Sequence, residues 1–338
     1  MKKILLLLGS IFLIILTAFF IYNKTIETNN QKAPKEYLHI VTTKYNNGEN
    51  DDDGVSTVLY LYSVEDKKIL SSTELSEVAL YPVAFQDLKN EKIYFSGSDN
   101  RLYDNLYEYD LKTGAKKQLT NDKILFNDMF MVNGNLYVTA APEYKTVTQP
   151  AVFDFKTNQF KYYNEDDDDT WFHSFSYNYT TGKLLCLTTS DSEMRSQRVT
   201  EVTHIRPKKI FLMDLDFKNP QYVFETEDFE IRLTRQLNEN RILMATDPFM
   251  GASEPRTLKI LYIDSQKVED FKIPGIKEVY SFYPRYNGKG LFILGRDEEN
   301  NFGLYYYDMI NNNLNNIFEG YTFPRDYRSL VDFVYSVN

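Results

Sequence analysis

One phrase, written six times at intervals of about fifty residues, constrains this chain more than any other feature. "NLYEYDLKTGAKKQL" (105–119) returns in altered form as "VLYLYSVEDKKIL" (58–70), "AVFDFKTNQFKYY" (151–163), "IFLMDLDFKNPQYVF" (210–224), "KILYIDSQKVEDFKI" (259–273) and "GLYYYDMINNNLNNIF" (303–318). In each, apolar and polar residues alternate as on a half-buried strand, the alternation breaks at a polar turn, and a second run comes back. Ser63, Asp110, Asp154, Asp214, Asp264 and Asp308 mark the end of the first run, at steps of 47, 44, 60, 50 and 44 residues. A near-constant period of this length means one supersecondary unit used repeatedly.

Two further alternating runs precede most of these hairpins. They are "VALYPVAF" and "KIYFSG" before the second, "TWFHSFSYN" and "KLLCLTT" before the fourth, "FEIRLTRQL" and "RILMATD" before the fifth, and "YSFYPRYN" and "GLFILGR" before the sixth. Short turns such as "TTG", "NEN" and "NGKG" join them, as antiparallel hairpins require. The unit is therefore four antiparallel strands, the blade of a β-propeller, and the fold class is all-β with six blades. The first hairpin has one run before it, "YLHIVTT" (37–43), and the last is followed by one extra, "RSLVDFVYSV" (328–337). If the C-terminal run supplies the innermost strand of the first blade, the ring closes and the inner edge of that blade is not left open to pairing with another chain. Residues 37–338 then make one propeller domain.

The chain begins with "MKK" (1–3) and continues with nineteen uncharged, mostly apolar residues, Ile4–Tyr22. As a helix they span roughly 28 Å, the thickness of a bilayer's hydrocarbon core. The run ends "TAFFIYNK" without an A-x-A pattern, and no cysteine follows that could carry a lipid. An uncleaved transmembrane signal-anchor is expected rather than a cleaved signal peptide, in which case the protein would be secreted. Lys2 and Lys3 favour the cytoplasmic side, so residues 1–3 form a cytoplasmic stub, 23–36 a polar tether, and the propeller is extracytoplasmic. With five lysines and one glutamate in residues 1–35, the remainder carries 33 basic and 47 acidic side chains, a net of −14. Such a surface repels phosphate backbones, which excludes nucleic acid as a partner. Cys186 stands alone, so there is no intrachain disulfide and no multi-cysteine metal site. That suits a bacterial cell envelope that does not rely on disulfides.

"LYEYDLKTGAKKQLTND" (106–122) resembles the blade signature of TolB-like propellers, also found in relatives of prolyl oligopeptidase. There a Tyr-Asp strand end, a Thr-Gly turn and a Leu-Thr exit recur. The inner-strand Ser-Pro-Asp-Gly of that family is reduced here to "SYNYTTG" and "RYNGKG". The resemblance implies a propeller alone, because no residues remain to build the separate catalytic domain of the hydrolase relatives.

Motifs for chemistry are lacking. G-x-S-x-G, H-E-x-x-H and P-loop patterns do not occur, and the histidines are His39, His173 and His204. The loops carry more information. Those joining the second and third strands of a blade, with the links between blades, lie on one face, and several are long: "KYNNGENDDDGVS", "SDSEMRSQRVTEVTHIRPKK" and "DPFMGASEPRT". Long loops on a rigid scaffold are where binding residues are placed. On predicted innermost strands, His173, Arg232, Arg235, Arg285 and Arg328 are candidates to line the channel and hold an anionic ligand or a partner's carboxylate. Tyr45 and Tyr144 on the loop face are candidates to stack on a sugar or peptide. "ENDDDG" (49–54) resembles the opening of a calcium loop, with Glu49, Asp51 and Asp53 as ligands. Its ninth and twelfth positions are Thr57 and Tyr60, so no bidentate Glu closes it, and a solvated acidic hairpin competes with the metal. "EDDDDT" (165–170) reads as a solvated acidic link. The turn aspartates read as local hydrogen-bond acceptors rather than a catalytic set.

The function these features imply is that of a membrane-anchored binding or scaffolding module, its partner an envelope protein or peptide. The alternative is an enzyme or sensor acting at the channel mouth on a glycan or small anionic ligand.

Overall fold

The hairpin phrase recurs because its turn is built the same way in four of the six copies. In the protein's computed structural model, which describes residues 34–45, 55–79, 82–98, 103–121, 124–196, 205–206, 208–249, 252, 254–320 and 328–338, Asp110 ends a strand. Its Oδ1 accepts the backbone N–H groups of Lys112 and Thr113 at 3.0 and 2.8 Å. The N–H of Gly114 then donates to the Asp110 carbonyl at 2.8 Å. Gly114 takes φ +71°, a left-handed conformation that glycine adopts without Cβ strain. Asp308 does the same for Ile310 and Asn311, with Asn312 left-handed. Asp154 with Asn158, Asn178 with Gly182, and Ser63 with Lys67 repeat the pattern. A polar acceptor and a left-handed residue four places later thus define the hairpin. Asp214 and Asp264 depart from it. Asp214 holds the side chains of Lys183 and Asn219, and Asp264 donates its own N–H to Asn240.

The hairpins assemble into six four-stranded antiparallel sheets. The first contains β1 (Glu36–Tyr45), β2 (Val55–Ser63) and β3 (Lys68–Val78). The second contains β4 (Ala84–Asp87), β5 (Lys92–Gly97), β6 (Asn105–Asp110) and β7 (Lys116–Gln118). The third contains β8 (Ile124–Val132), β9 (Asn135–Pro142), β10 (Gln149–Asp154) and β11 (Gln159–Tyr162). The fourth contains β12 (Thr170–Asn178), β13 (Lys183–Ser190), β14 (Lys208–Met213) and β15 (Gln221–Thr226). The fifth contains β16 (Glu230–Asn238), β17 (Arg241–Asp247), β18 (Thr257–Tyr262) and β19 (Lys267–Phe271). The sixth contains β20 (Ile276–Pro284), β21 (Gly290–Asp297), β22 (Phe302–Asp308) and β23 (Asn313–Glu319).

The last strand, β24 (Arg328–Val337), pairs antiparallel with β1 and becomes the innermost strand of the first blade, as ring closure requires. The innermost strands touch in sequence from β4 through β8, β12, β16 and β20 to β24, while β1 meets β4. The fold is a closed six-bladed propeller. Apolar clusters fill the spaces between neighbouring sheets. Phe126, Phe130 and Phe175 lie between the third and fourth blades, and Leu243, Phe282 and Ile293 between the fifth and sixth. Leu38, Phe292 and Phe333 seal the sixth against the first. Each such side chain contributes about 1.5–3 kcal/mol by leaving water.

Two contacts reinforce the seam. Glu36 accepts both Nε and Nη2 of Arg285 at 2.8–3.0 Å and the Tyr335 hydroxyl at 2.5 Å, so β1, β24 and the turn after β20 meet on one buried carboxylate. Deeper in, fully buried His39 shares a hydrogen bond with Ser336 at 2.8 Å, accepts the Gln86 N–H at 3.1 Å and stacks on Phe85. Burial holds its imidazole neutral, with a pKa down to about 3.

Three boundaries differ from the sequence expectation. The first strand of the second blade is only Ala84–Asp87, because Pro82 interrupts "VALYPVAF" and cannot donate to a ladder. β20 begins at Ile276 rather than at Tyr280. A short helix, α1 (Asp191–Ser196), follows β13, announced by the S-D-S-E sequence in which Ser190 Oγ accepts the Glu193 N–H at 3.1 Å. The stub 1–3, the apolar run 4–22, most of the tether, and Glu49, Asp51 and Asp53 lie outside the described residues. Among the described residues no helix is long and apolar enough to cross a membrane.

Candidate functional site

Every innermost strand starts on the face that carries the inter-blade links and the second-to-third-strand loops, a consequence of four antiparallel strands per blade. Near that start, the regular pairing with the neighbouring strand slips by one residue in five blades. The slips fall between Phe126 and Asp128 in β8, Phe172 and Ser174 in β12, Ile231 and Leu233 in β16, and Val279 and Ser281 in β20. In β24 the slip lies between Leu330 and Asp332. The residues left unpaired are Asn127, His173, Arg232, Tyr280 and Val331. A bulge breaks the two-residue alternation and re-aims side chains, so adjacent residues can face the axis together.

The result is a cavity of about 330 Å³ at the loop-face mouth of the channel, lined by side chains from the inner strands that include Asp128, His173, Arg235, Tyr280 and Asp332. This lies at the lower end of small-ligand pockets. Toward the opposite face the channel narrows to a space of about 20 Å³ bounded by Arg235, Tyr283, Tyr179 and Tyr335, about one water's worth. There the Arg235 guanidinium lies 4.2 Å from the centre of the Tyr283 ring. Its Nη1 donates to Ser174 Oγ and to the Thr234 carbonyl, both at 2.9 Å, while its Nε has no partner. The arginine is thus a floor whose Nε–H is unspent.

Two carboxylates face this floor. Asp128 accepts the Thr139 hydroxyl at 2.6 Å. Burial raises its pKa to about 6, the nearby Asp332 adds to the rise, and Arg235 and Thr139 oppose it. Asp332 is also raised, again chiefly by burial, and its Oδ1 is unpartnered. On β12, the inner strand next to the one that carries Asp128, His173 sits 5.8 Å from Trp171, ring centre to ring centre. Its Nε2 is buried without a partner. Burial first, then the charges of Lys208, Arg206 and Arg232, push its pKa down to about 2, so it is a neutral imidazole at any physiological pH.

The expected candidates therefore separate. His173 and Arg235 line the cavity. Arg232 lies at its rim with Nε on Asp247 at 2.5 Å. Arg285 follows β20 at the opposite end, where it binds Glu36. Tyr144 is 71% exposed in the β9–β10 loop on the mouth face. Tyr45 ends β1 and Arg328 begins β24; their side chains lie outside the described residues. The acidic link 165–170 is more than a solvated run. Asp167 caps Asp169 and Thr170 at 2.8 and 2.9 Å, Asp168 pairs with Lys145, and Asp169 accepts the Ser192 N–H at the start of α1. Among the described residues no three His, Cys, Asp or Glu side chains converge to hold a metal ion. Sequence reading missed Asp128, Asp332, Tyr280 and the ionic group around Glu230, because each blade contributes one or two of them.

No protein-family model and no curated protein matches the sequence. Solved structures do. TolB from Acinetobacter baumannii is 18% identical with a TM-score of 0.50, over 82% of this chain and 62% of that one. A protein of Agrobacterium tumefaciens described as a TolB is 8% identical with a TM-score of 0.54, over 90% and 98%. The β-propeller domain of the Trilobed protease from Pyrococcus furiosus is 13% identical with a TM-score of 0.51, over 86% of each chain. At these identities the likeness is one of fold: the chain folds as a β-propeller similar to those of TolB, the likeness its blade phrase implied.

Proposed function

We propose that this protein is a membrane-anchored, extracytoplasmic propeller of a bacterial cell envelope that binds an envelope protein or a peptide where its channel opens. The ring of bulges carries this reading. Five inner strands give up regular pairing at one level, and what they gain is an opening lined by Asp128, His173, Arg235 and Asp332. Folding alone has no use for polar groups there, since burying them without partners costs free energy. Exposed Tyr144 lies on the same face. The anchor rests on Ile4–Tyr22 and the lysines before it.

Affinity capture from solubilised membranes tests the reading, with the full-length chain as bait and residues 1–36 alone as control. A partner enriched by the full chain only is expected; equal recovery from both removes the proposal. The Asp128–Asp332 pair favours a second reading, a small-ligand site or enzyme inside the mouth, for which turnover or binding abolished by Asp128→Asn would be diagnostic. Calcium at Glu49, Asp51 and Asp53 is a separate proposal and the weaker one beside a solvated hairpin. Calorimetric titration with calcium decides between them: a saturable heat with a raised Tm is the outcome for the metal, and no heat with an unchanged Tm the outcome for the hairpin.

A further inference from the structure

Between the fourth and fifth blades the mouth is bordered by a group of charges that does not balance. Glu230, fully buried, accepts Arg206 Nε at 2.9 Å and Nη2 at 2.5 Å on Oε1, and the Arg206 backbone N–H at 2.9 Å on Oε2. Lys208, 2% exposed, brings its ammonium to 3.0 Å from the same Oε1 and donates to the Ile231 carbonyl. Arg232 lies 3.7 Å from Glu230 and binds Asp247, which Arg256 also approaches at 3.6 Å. Within this contiguous network of described residues, four cations share two carboxylates, on a protein whose formal charge is −10.

Both carboxylates are already occupied by several donors, so the surplus cannot be absorbed within the network. Lys208 registers the excess: burial above all, with Arg206 and Arg232 adding repulsion, lowers its pKa to about 8 despite contact with Glu230. An independent observation points the same way. His173, which lines the adjoining cavity, has a buried Nε2 with no partner. Arg232 and Arg256 keep 24% and 33% of their side-chain surface open to solvent, so a ligand can reach them. Arginine forks match carboxylates in a bidentate way. The carboxylates Asp128 and Asp332 stand elsewhere on the mouth, so an acidic group is drawn to the blade 4–5 side and turned away from theirs.

We infer that the blade 4–5 rim binds the carboxylates of an acidic segment of the partner, with Arg232 and Arg256 as the contacting forks and His173 at the inner end of the track. This rests on the mouth being the binding face. The test uses the purified full-length chain, titrated calorimetrically with a tetraglutamate peptide, with tetralysine and inorganic phosphate as comparison arms. Trp171, the only tryptophan, reports location by its fluorescence.

Tetraglutamate is expected to bind saturably, to shift Trp171 emission, and to weaken as salt rises. Arg256→Gln should weaken it about tenfold, and Arg232→Lys, which keeps the charge but loses the fork, should also weaken it while melting near the wild-type temperature. Absence of saturable binding, binding without a Trp171 response, unchanged affinity in both variants, or binding of phosphate but not tetraglutamate would each overturn the inference. If a partner is still captured at the mouth while the peptide arm is silent, the binding face stands and the acidic segment alone is lost.

Discussion

Arg285 shows how one residue type serves different ends in the same ring. Its position after an innermost strand suggested a ligand contact, yet its guanidinium closes on Glu36, whose other oxygen takes Tyr335. Replacing it by Ala leaves that buried carboxylate short of partners, which should cost about 2–3 kcal/mol and lower Tm on the order of 5 °C, read by thermal denaturation. Asp128 yields a prediction in pH. Its folded-state pKa is raised from the usual carboxylate range to about 6, so the folded protein takes up this proton before the unfolded chain does. The resulting stabilisation is fully present below the unfolded pKa and is lost as pH rises through about 6. Between pH 7 and pH 5 the wild type should gain about 1–2 kcal/mol from this group that Asp128→Asn does not show, measured by denaturant melts at the two pH values. Much at this scale was legible in the sequence. His173 and Arg235 could be assigned to innermost strands, and the turn aspartates by their offset from Gly or Asn, but that His173 is the bulged residue of its strand could not be read. Asp332, Tyr280 and Glu230 could not, because a bulge changes which face a residue occupies and nothing local in "FEIRLTRQL" or "YSFYPRYN" announces one.

At the scale of the element, the hairpin turn and the bulged inner strand have different tolerances. Asp110 accepts two backbone N–H groups in an exposed turn, so Asp110→Ala should be only mildly destabilising. Gly295 in β21 is different: a Cβ there would stand 2.2 Å from the Glu278 carbonyl oxygen, beside the bulge of β20. Gly295→Ala must displace that backbone and should cost about 3 kcal/mol, so chemical denaturation should show it as the more destabilised of the two variants. The same contrast explains what was readable. Turn chemistry is local and recurs with a fixed offset, hence six hairpins could be read from one phrase. The starts of β4 and β20 depend on Pro82 and on pairing with strands elsewhere, and the helix α1 is six residues long, too short to impose a period.

The whole molecule is held as a ring by its last strand. β24 pairs with β1 along nearly its full length and buries Leu330, Phe333 and Tyr335. Ending the chain before Arg328 should expose the inner edge of β1, abolish a single cooperative melt and promote association through the open edge, visible by calorimetry and size-exclusion chromatography. Closure leaves two unequal faces, one of tight turns and one with the open mouth of the channel, and the functional account depends on that inequality. A photo-crosslinking amino acid at Tyr144, on the loop face, compared with one at Ile310, in the β22–β23 turn of the other face and 64% exposed, tests it most directly. The account predicts a discrete adduct with an envelope protein from position 144 and none from 310; adducts from 310 alone, or from neither position, would contradict it.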